Sequence, residues 1–247
     1  MKFRVGIVLL CLVILVALLV TFELLVIKFN GKPVAVPTIP RSKQVFGAGK
    51  PLTYVVMGDS TSVGQGTTYD KSYALQTAQH LATSYRVSLT NVGVSGARAK
   101  DVTGSQLAKA KSLQPDLVLL SVGANDATHF TSSRTVRASL QKTIDGLRQA
   151  SPDVKIVVTG SPQMGSVPRF PWPARQLAGL RTKQINNVYA SLIAQNNLYF
   201  APIAAETGQA FAADPTLFAQ DKFHPDARGY ALWTPVINRT IDEALSK

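Results

Sequence analysis

The chain has 247 residues, 46% of them apolar and 16% charged, a balance that excludes intrinsic disorder and a multi-span membrane protein. The formal net charge is +12, but Lys and Arg are scattered without a basic run or interleaved aromatics, which reads as a solvated basic surface and not as a nucleic-acid site. Cys11 is the one cysteine, so disulfide frameworks, Cys-based metal sites and a thiol nucleophile are excluded for the domain that follows it.

Residues 1–29 open the chain as an apolar span. Val5 to Phe22 runs without a charge, Glu23 interrupts, and Leu24 to Ile27 continues. At about 1.5 Å per residue, Val5 to Ile27 is long enough for a hydrocarbon core of about 30 Å. A cleaved signal peptide has a shorter apolar run and a small-residue cleavage site, so residues 1–29 read as an uncleaved transmembrane signal anchor. Lys2 and Arg4 favour a cytoplasmic N-terminus and an extracytoplasmic domain, although Lys28, Lys32, Arg41 and Lys43 compete from the other side. Residues 30–50, with Pro33, Pro37, Pro40, Gly31, Gly47 and Gly49, read as a linker or an extended strap.

From residue 51 to 247 apolar runs alternate with amphipathic stretches. Strands are expected at Thr53–Met57, Arg86–Val92, Leu117–Val122, Val154–Thr159 and Leu198–Ile203. Helices are expected at Tyr73–Tyr85, Lys100–Leu113, Thr135–Ala150, Gln176–Gln195 and Pro225–Leu245, the last carrying Pro235. Five alternations with continuous apolar strands imply an α/β fold: a three-layer α/β/α sandwich with a doubly wound, about five-stranded parallel sheet. Pro162 to Pro173, with Met164, Phe170 and Trp172, is a long irregular stretch that reads equally as an apolar rim or as surface packing.

In open α/β sheets ligands bind beyond the carboxyl ends of the strands. Gly58-Asp59-Ser60, Gly93-Val94-Ser95-Gly96, Gly123-Ala124-Asn125-Asp126 and Asp221-Lys222-Phe223-His224 fall there. A serine hydroxyl needs a base within hydrogen-bond reach, and the base needs a partner that fixes its tautomer. Of the three histidines, His80 sits inside a helix and reads as structural, and His129 follows the Asn125 loop at a possible pocket edge. His224 has Asp221 three residues before it. That spacing lets Asp221 reach Nδ1 and leaves Nε2 for Ser60; it equally allows Asp221 and Asp226 to do no more than cap the last helix.

Taken together, these four segments resemble the motif blocks of the SGNH/GDSL hydrolase family. Gly58-Asp59-Ser60-Thr61-Ser62-Val63-Gly64 is similar to the first block, Val94-Ser95-Gly96-Ala97 to the second, Gly123-Ala124-Asn125-Asp126 to the third and Asp221-Lys222-Phe223-His224 to the last. The likeness covers about residues 51–247. It implies a flavodoxin-like SGNH hydrolase domain with Ser60 as nucleophile, His224 as general base and Asp221 as its orienting acid. It also implies an oxyanion hole built from the N–H groups of Ser60 and Gly96 and the amide of Asn125. Gly93 is the alternative glycine for the second block. No metal or other cofactor is required by such chemistry.

An α/β-hydrolase elbow would need G-x-S-x-G, and residue 62 is Ser. A phosphate-binding P-loop lacks its Gly-Lys-Ser/Thr ending. A non-catalytic, membrane-anchored binding module on the same fold is the alternative from another class, and it leaves Ser60, Asn125, Asp221 and His224 without a role. The expected substrate is a small-molecule, lipid or glycan ester. Acyl or lysophospholipid-type esters and O-acetylated carbohydrates both fit, and the anchor supplies the membrane contact.

Overall fold

The computed structural model describes residues 2–40 and 42–246. Helix α1 (Lys2–Phe29) projects from an α/β domain whose sheet contains β1 (Gln44–Phe46), β2 (Lys50–Gly58), β3 (Tyr85–Asn91), β4 (Leu117–Ser121), β5 (Lys155–Val158) and β6 (Tyr199–Phe200). The order across the sheet is β1-β3-β2-β4-β5-β6. Strands β3-β2-β4-β5-β6 pair in parallel and β1 joins the β3 edge antiparallel. The parallel five are the expected sheet, and their 2-1-3-4-5 order is flavodoxin-like. The three-residue β1 lies in the stretch expected to be a linker.

Between the strands run α2 (Tyr73–Leu81), α3 (Ala99–Asp101), a π turn (Val102–Gln106), α4 (Leu107–Ser112), α5 (Ala124–Thr128), α6 (Ser133–Ala150) and α7 (Ala174–Asn196), and α8 (Ile203–Ala213) and α9 (Ala227–Ser246) follow β6. The strand interiors are apolar because both faces are covered. On one face Val55, Met57, Val118 and Leu120 meet α4, α6 and α7; on the other Tyr54, Val56, Leu119 and Val157 meet α2, α8 and α9. Helix α6 forms as its pattern predicts. Ser132 caps it by accepting from the N–H of Thr135, and Val136, Leu140, Ile144 and Leu147 are fully buried on one stripe, each worth about 1.5–3 kcal/mol of apolar burial.

Two segments depart from expectation. The helix expected over 100–113 is interrupted by the π turn, which carries the buried Gln106. Residues 201–213 turn early into α8, so the fifth expected strand is only Tyr199–Phe200.

Val5–Phe29 is long and apolar enough, by length and composition, to cross a membrane. Most of it is exposed, but Glu23, Val26, Ile27 and Asn30 are partly buried. These positions follow i, i+3, i+4, i+7 and form one face. Ile27 packs against the core cluster that contains Phe170. The end of α1 is thus seated on the domain, and the chain beyond it runs along the surface as a strap. The N–H of Lys32 donates to the carbonyl of Gln220 (2.9 Å), and Gln220 Nε2 donates to the carbonyl of Pro33 (3.4 Å).

Candidate active site

The order in which strands are added to the sheet reverses between the parallel neighbours β2 and β4, and the loops leaving these two strands carry Ser60 and Asn125. That is the switch point where open α/β sheets form their clefts. Strand β2 ends at Gly58, with φ +149; a Cβ there would lie 1.9 Å from the carbonyl oxygen of Ser121 on β4. Glycine therefore allows β2 and β4 to stay in register up to the turn that presents Ser60. The carboxylate of Asp59 holds that turn, accepting from the N–H and hydroxyl of Thr61 (2.9 Å each).

His224 reaches the same point from the far end of the chain. Its Nε2 lies 2.9 Å from Ser60 Oγ and its Nδ1 2.6 Å from Asp221 Oδ2. The other carboxylate oxygen of Asp221 accepts from the N–H groups of Phe223 and His224 (3.0 Å each). Burial raises the carboxyl pKa of Asp221, but the hydrogen bond to His224, the imidazolium charge and the two N–H groups outweigh it, and the net direction is downward. An ionised Asp221 fixes the ring with N–H on Nδ1 and the Nε2 lone pair facing the serine. Capping and ring contact are thus both made by Asp221, through different oxygens. Asp226 caps α9 by accepting from Arg228 and Gly229 N–H.

The remaining sequence-selected residues fall around this relay. Asn125 Nδ2 donates to the carbonyl of Ala97 (3.1 Å), which spends one of its two hydrogens. Asp126 Oδ2 accepts from the N–H of Ala99 (2.9 Å). The Asn125-Asp126 pair therefore pins the loop containing Gly96. Gly96 has φ +81 and open space where a Cβ would sit. Gly93 is packed instead: a Cβ there would lie 2.0 Å from Ser62 Oγ. Among the described residues, the N–H groups of Ser60 and Gly96 donate to no protein acceptor. His80 pairs with Asp242 on the surface. His129 Nδ1 contacts the carbonyl of Asn125 (3.0 Å) and lies outside the cavity wall. No cluster of His, Cys, Asp and Glu with metal-binding geometry occurs among the described residues.

Beside Ser60 and His224 lies a cavity of about 30 Å³, walled by Met164, Val167, Phe211, Phe218, Phe223 and Trp233. Gln163, Ser166 and Gly208 line both this cavity and an open groove of about 800 Å³ that carries Arg175, Leu180 and Lys183. The irregular stretch 162–173 thus supplies part of the wall. Its Phe170 packs edge-on against Phe223 (5.8 Å), and Trp172 is 75% exposed.

Sequence reading did not single out Gln106 or Gln65. Gln106 Oε1 accepts from the N–H of Gly58 (2.9 Å) and Nε2 donates to its carbonyl (2.8 Å). Gln65 donates its N–H to the carbonyl of Ser60 (3.0 Å) and accepts from Ser95 Oγ (2.6 Å). A lone glutamine among the buried Val102, Leu107 and Ala110 is the signal that would have marked Gln106.

A doubly wound α/β sheet with a hydrogen-bonded serine, histidine and aspartate beyond its carboxyl edge is the architecture of the SGNH-type hydrolases. The model of the GDSL-like lipase/acylhydrolase family matches residues 56–232, and the chain belongs to that family. It is similar to a GDSL-like esterase of Mycobacterium tuberculosis, 28% identical over 199 residues that make up 78% of this chain and 62% of that protein. The chain thus spans less than two thirds of that relative's length. The fold is also that of a lipase/acylhydrolase from Enterococcus faecalis (TM-score 0.61, 21% identity, covering 78% of this chain and 96% of that one). An extracellular lipase from Streptomyces rimosus shares it as well (TM-score 0.61, 24% identity, 76% and 99%).

Proposed function

We propose that this protein is a serine ester hydrolase, held at the extracytoplasmic face of a membrane by α1, that cleaves carboxylic esters through an acyl-serine intermediate. The observation that carries this reading is the unbroken relay Ser60 Oγ···Nε2 His224 Nδ1···Oδ2 Asp221, at 2.9 and 2.6 Å. His224 takes the hydroxyl proton as Ser60 Oγ attacks the ester carbonyl. Asp221 stays ionised and stabilises the imidazolium. The carbonyl oxygen becomes an oxyanion and takes hydrogen bonds from the N–H groups of Ser60 and Gly96 and the second hydrogen of Asn125 Nδ2. The imidazolium then gives its proton to the departing alkoxide. Water, deprotonated by His224, attacks the acyl-serine and releases the acid.

For the substrate, the aromatic and aliphatic wall beside Ser60 favours an apolar acyl group. The open groove beyond Gln163 and Ser166, bearing Arg175 and Lys183, gives room for a longer chain or a charged alcohol part. The small volume supports a second reading, an acetyl ester on a carbohydrate, because about 30 Å³ accepts only a few atoms without rearrangement. Lys2 and Arg4 before the span support the orientation.

The test is hydrolysis of p-nitrophenyl esters from acetyl to palmitoyl, with labelling by a serine-directed phosphonate. Turnover with a single label on Ser60 is the expected result. A rising profile toward longer chains supports the acyl reading, and an acetyl-only profile supports the second. Absence of both turnover and label on folded protein overturns the proposal.

A further inference from the structure

We propose that the strap leaving α1 is part of the catalytic apparatus: residues 30–34 position Asp221 and, through it, His224. This rests on the reading of Ser60, His224 and Asp221 as the catalytic relay.

The contacts converge on one short loop. The N–H of Lys32 holds the carbonyl of Gln220 (2.9 Å). Gly31, with φ +112, lies against the next peptide; a Cβ there would meet the carbonyl oxygen of Asp221 at 2.4 Å and its carbonyl carbon at 2.6 Å. Asn30 Oδ1 accepts from Lys222 Nζ (2.8 Å). The three strap residues in a row therefore bear on the three loop residues in a row that contain the relay carboxylate.

Arg169 closes the clamp from the other side. Its N–H donates to the carbonyl of Lys222 (2.9 Å), and its Nε donates to the carbonyl of Ile27 at the end of α1 (3.0 Å). Asn30 Nδ2 donates to the carbonyls of Pro168 and Arg169 (3.0 and 3.2 Å). Lys222 sits at φ +56, a left-handed conformation that is unfavourable for a non-glycine residue and persists only where the surroundings hold it. Arg169 and Asn30 supply that hold. One residue further on, the carbonyl of Val34 accepts a long contact (3.4 Å) from Gln65, the residue whose N–H and side chain also bind Ser60 and Ser95. A segment that merely joined an anchor to a domain would not need to press on the peptide of Asp221 and also meet the glutamine that binds the Ser60 carbonyl.

Positioning of this kind is a catalytic quantity, because displacement of a base by a fraction of an ångström is paid in turnover and not in ground-state binding. The experiment uses the full chain in detergent micelles, with kcat expressed per site titrated by the phosphonate, so that loss of folded protein does not count. Gly31→Ala pushes on the Asp221 peptide and Asn30→Ala releases Arg169 and Lys222. Each is expected to lower kcat per titrated site about tenfold or more with KM little changed, to slow phosphonate labelling in parallel, and to move the low-field proton resonance of His224 Nδ1–H. Gly49→Ala, which strains the chain at φ +107 against Ser84 far from this loop, is expected to leave all three readouts as in the unaltered protein. Should Gly31→Ala fail to fold, Asn30→Ala decides. Unaltered kcat and resonance in the strap variants, even with a lowered Tm, overturn the proposal, as does a rise in KM alone. If the unaltered chain neither turns over esters nor labels on Ser60, it is the hydrolase reading that has failed.

Discussion

Gln106, buried in the π turn Val102–Gln106, brackets Gly58, donating to its carbonyl at 2.8 Å and accepting from its N–H at 2.9 Å. Gly58 closes β2 two residues before Ser60, and in the sheet it faces Ser121. The side-chain amide thus stands in for a neighbouring strand at the one place where the sheet must open to form a site. Gln106→Leu leaves the N–H of Gly58 buried and unpaired, while its carbonyl keeps the N–H of Val94 (3.1 Å). The expected result is a loss of roughly 1–3 kcal/mol in the unfolding free energy measured with urea. Gln106→Glu keeps the acceptor and sets a carboxylate against a carbonyl, so it should be destabilised as well. A Gln106→Leu protein as stable as the parent would mean that water or a shifted loop takes over the bond to the Gly58 N–H.

Ser60 and His224 are separated by 164 positions in the chain and by 2.9 Å in space. The proposed relay makes them one unit, so Ser60→Ala and His224→Ala should each remove most of kcat, and the double variant should be little worse than either. Additive losses would show that they act separately. Asp221 is held below the usual carboxylate range by its hydrogen bonds to His224 and to two backbone N–H groups. His224→Ala protein that retains its specific activity while losing thermal stability would reduce the histidine to a helix cap.

What the sequence makes visible here follows from where the energy is local. Leu117-Val118-Leu119-Leu120 announces β4 because a strand buried on both faces must be apolar throughout. The motif segments were legible because each needs special backbone chemistry, as Gly58 and Gly123 show with φ of +149 and +136. Helix α8 was not legible. Its buried Ile203, Thr207 and Phe211 are set among alanines and a glycine, so its periodicity is weak and packing against α9 decides it. Strand β1 is three residues long and exists by pairing with β3, a partner that no local pattern names. The strap contacts at Asp221 were hidden for the same reason: carbonyl and N–H partners are set by tertiary placement, and Gly31 reads in sequence like any linker glycine.

Asp59 carries the clearest pH signature of the fold. Burial pushes its pKa up from the usual 3.8 to about 6; the hydrogen bonds from Thr61 and the charge of His224 oppose the rise, and Asp126 adds to it. A carboxyl whose folded pKa is raised favours the native state below about pH 4, and that advantage is lost as the pH climbs through 6. Two units correspond to roughly 3 kcal/mol. Asp59→Asn keeps an acceptor for Thr61 but removes the titration. The difference in unfolding free energy between Asp59→Asn and the parent should therefore shift in favour of the variant by up to about 3 kcal/mol between pH 4 and pH 7.5. A difference that does not move with pH would place the buried charge elsewhere.

Asn125 gives the sharpest test of the proposed oxyanion hole. Its amide spends one hydrogen on Ala97, and the proposal assigns the other to the oxygen that becomes negative as Ser60 attacks. An uncharged carbonyl gains little from that donor and an oxyanion gains much, so the loss should fall on kcat and spare KM. Removing one such donor costs about 10²–10³ in rate, or roughly 3–4 kcal/mol. Asn125→Ala also frees the Ala97 carbonyl, so part of any loss could arise from a loosened Gly96 loop. Asn125→Asp separates the two effects. It removes both amide hydrogens and places an acceptor where a donor is needed, and it should be at least as slow as the alanine variant while still being labelled on Ser60 only sluggishly by the phosphonate. Thermal unfolding read alongside the kinetics completes the measurement. If both variants fold and keep kcat within a few-fold of the parent, the oxyanion is stabilised by the N–H groups of Ser60 and Gly96 without help from Asn125.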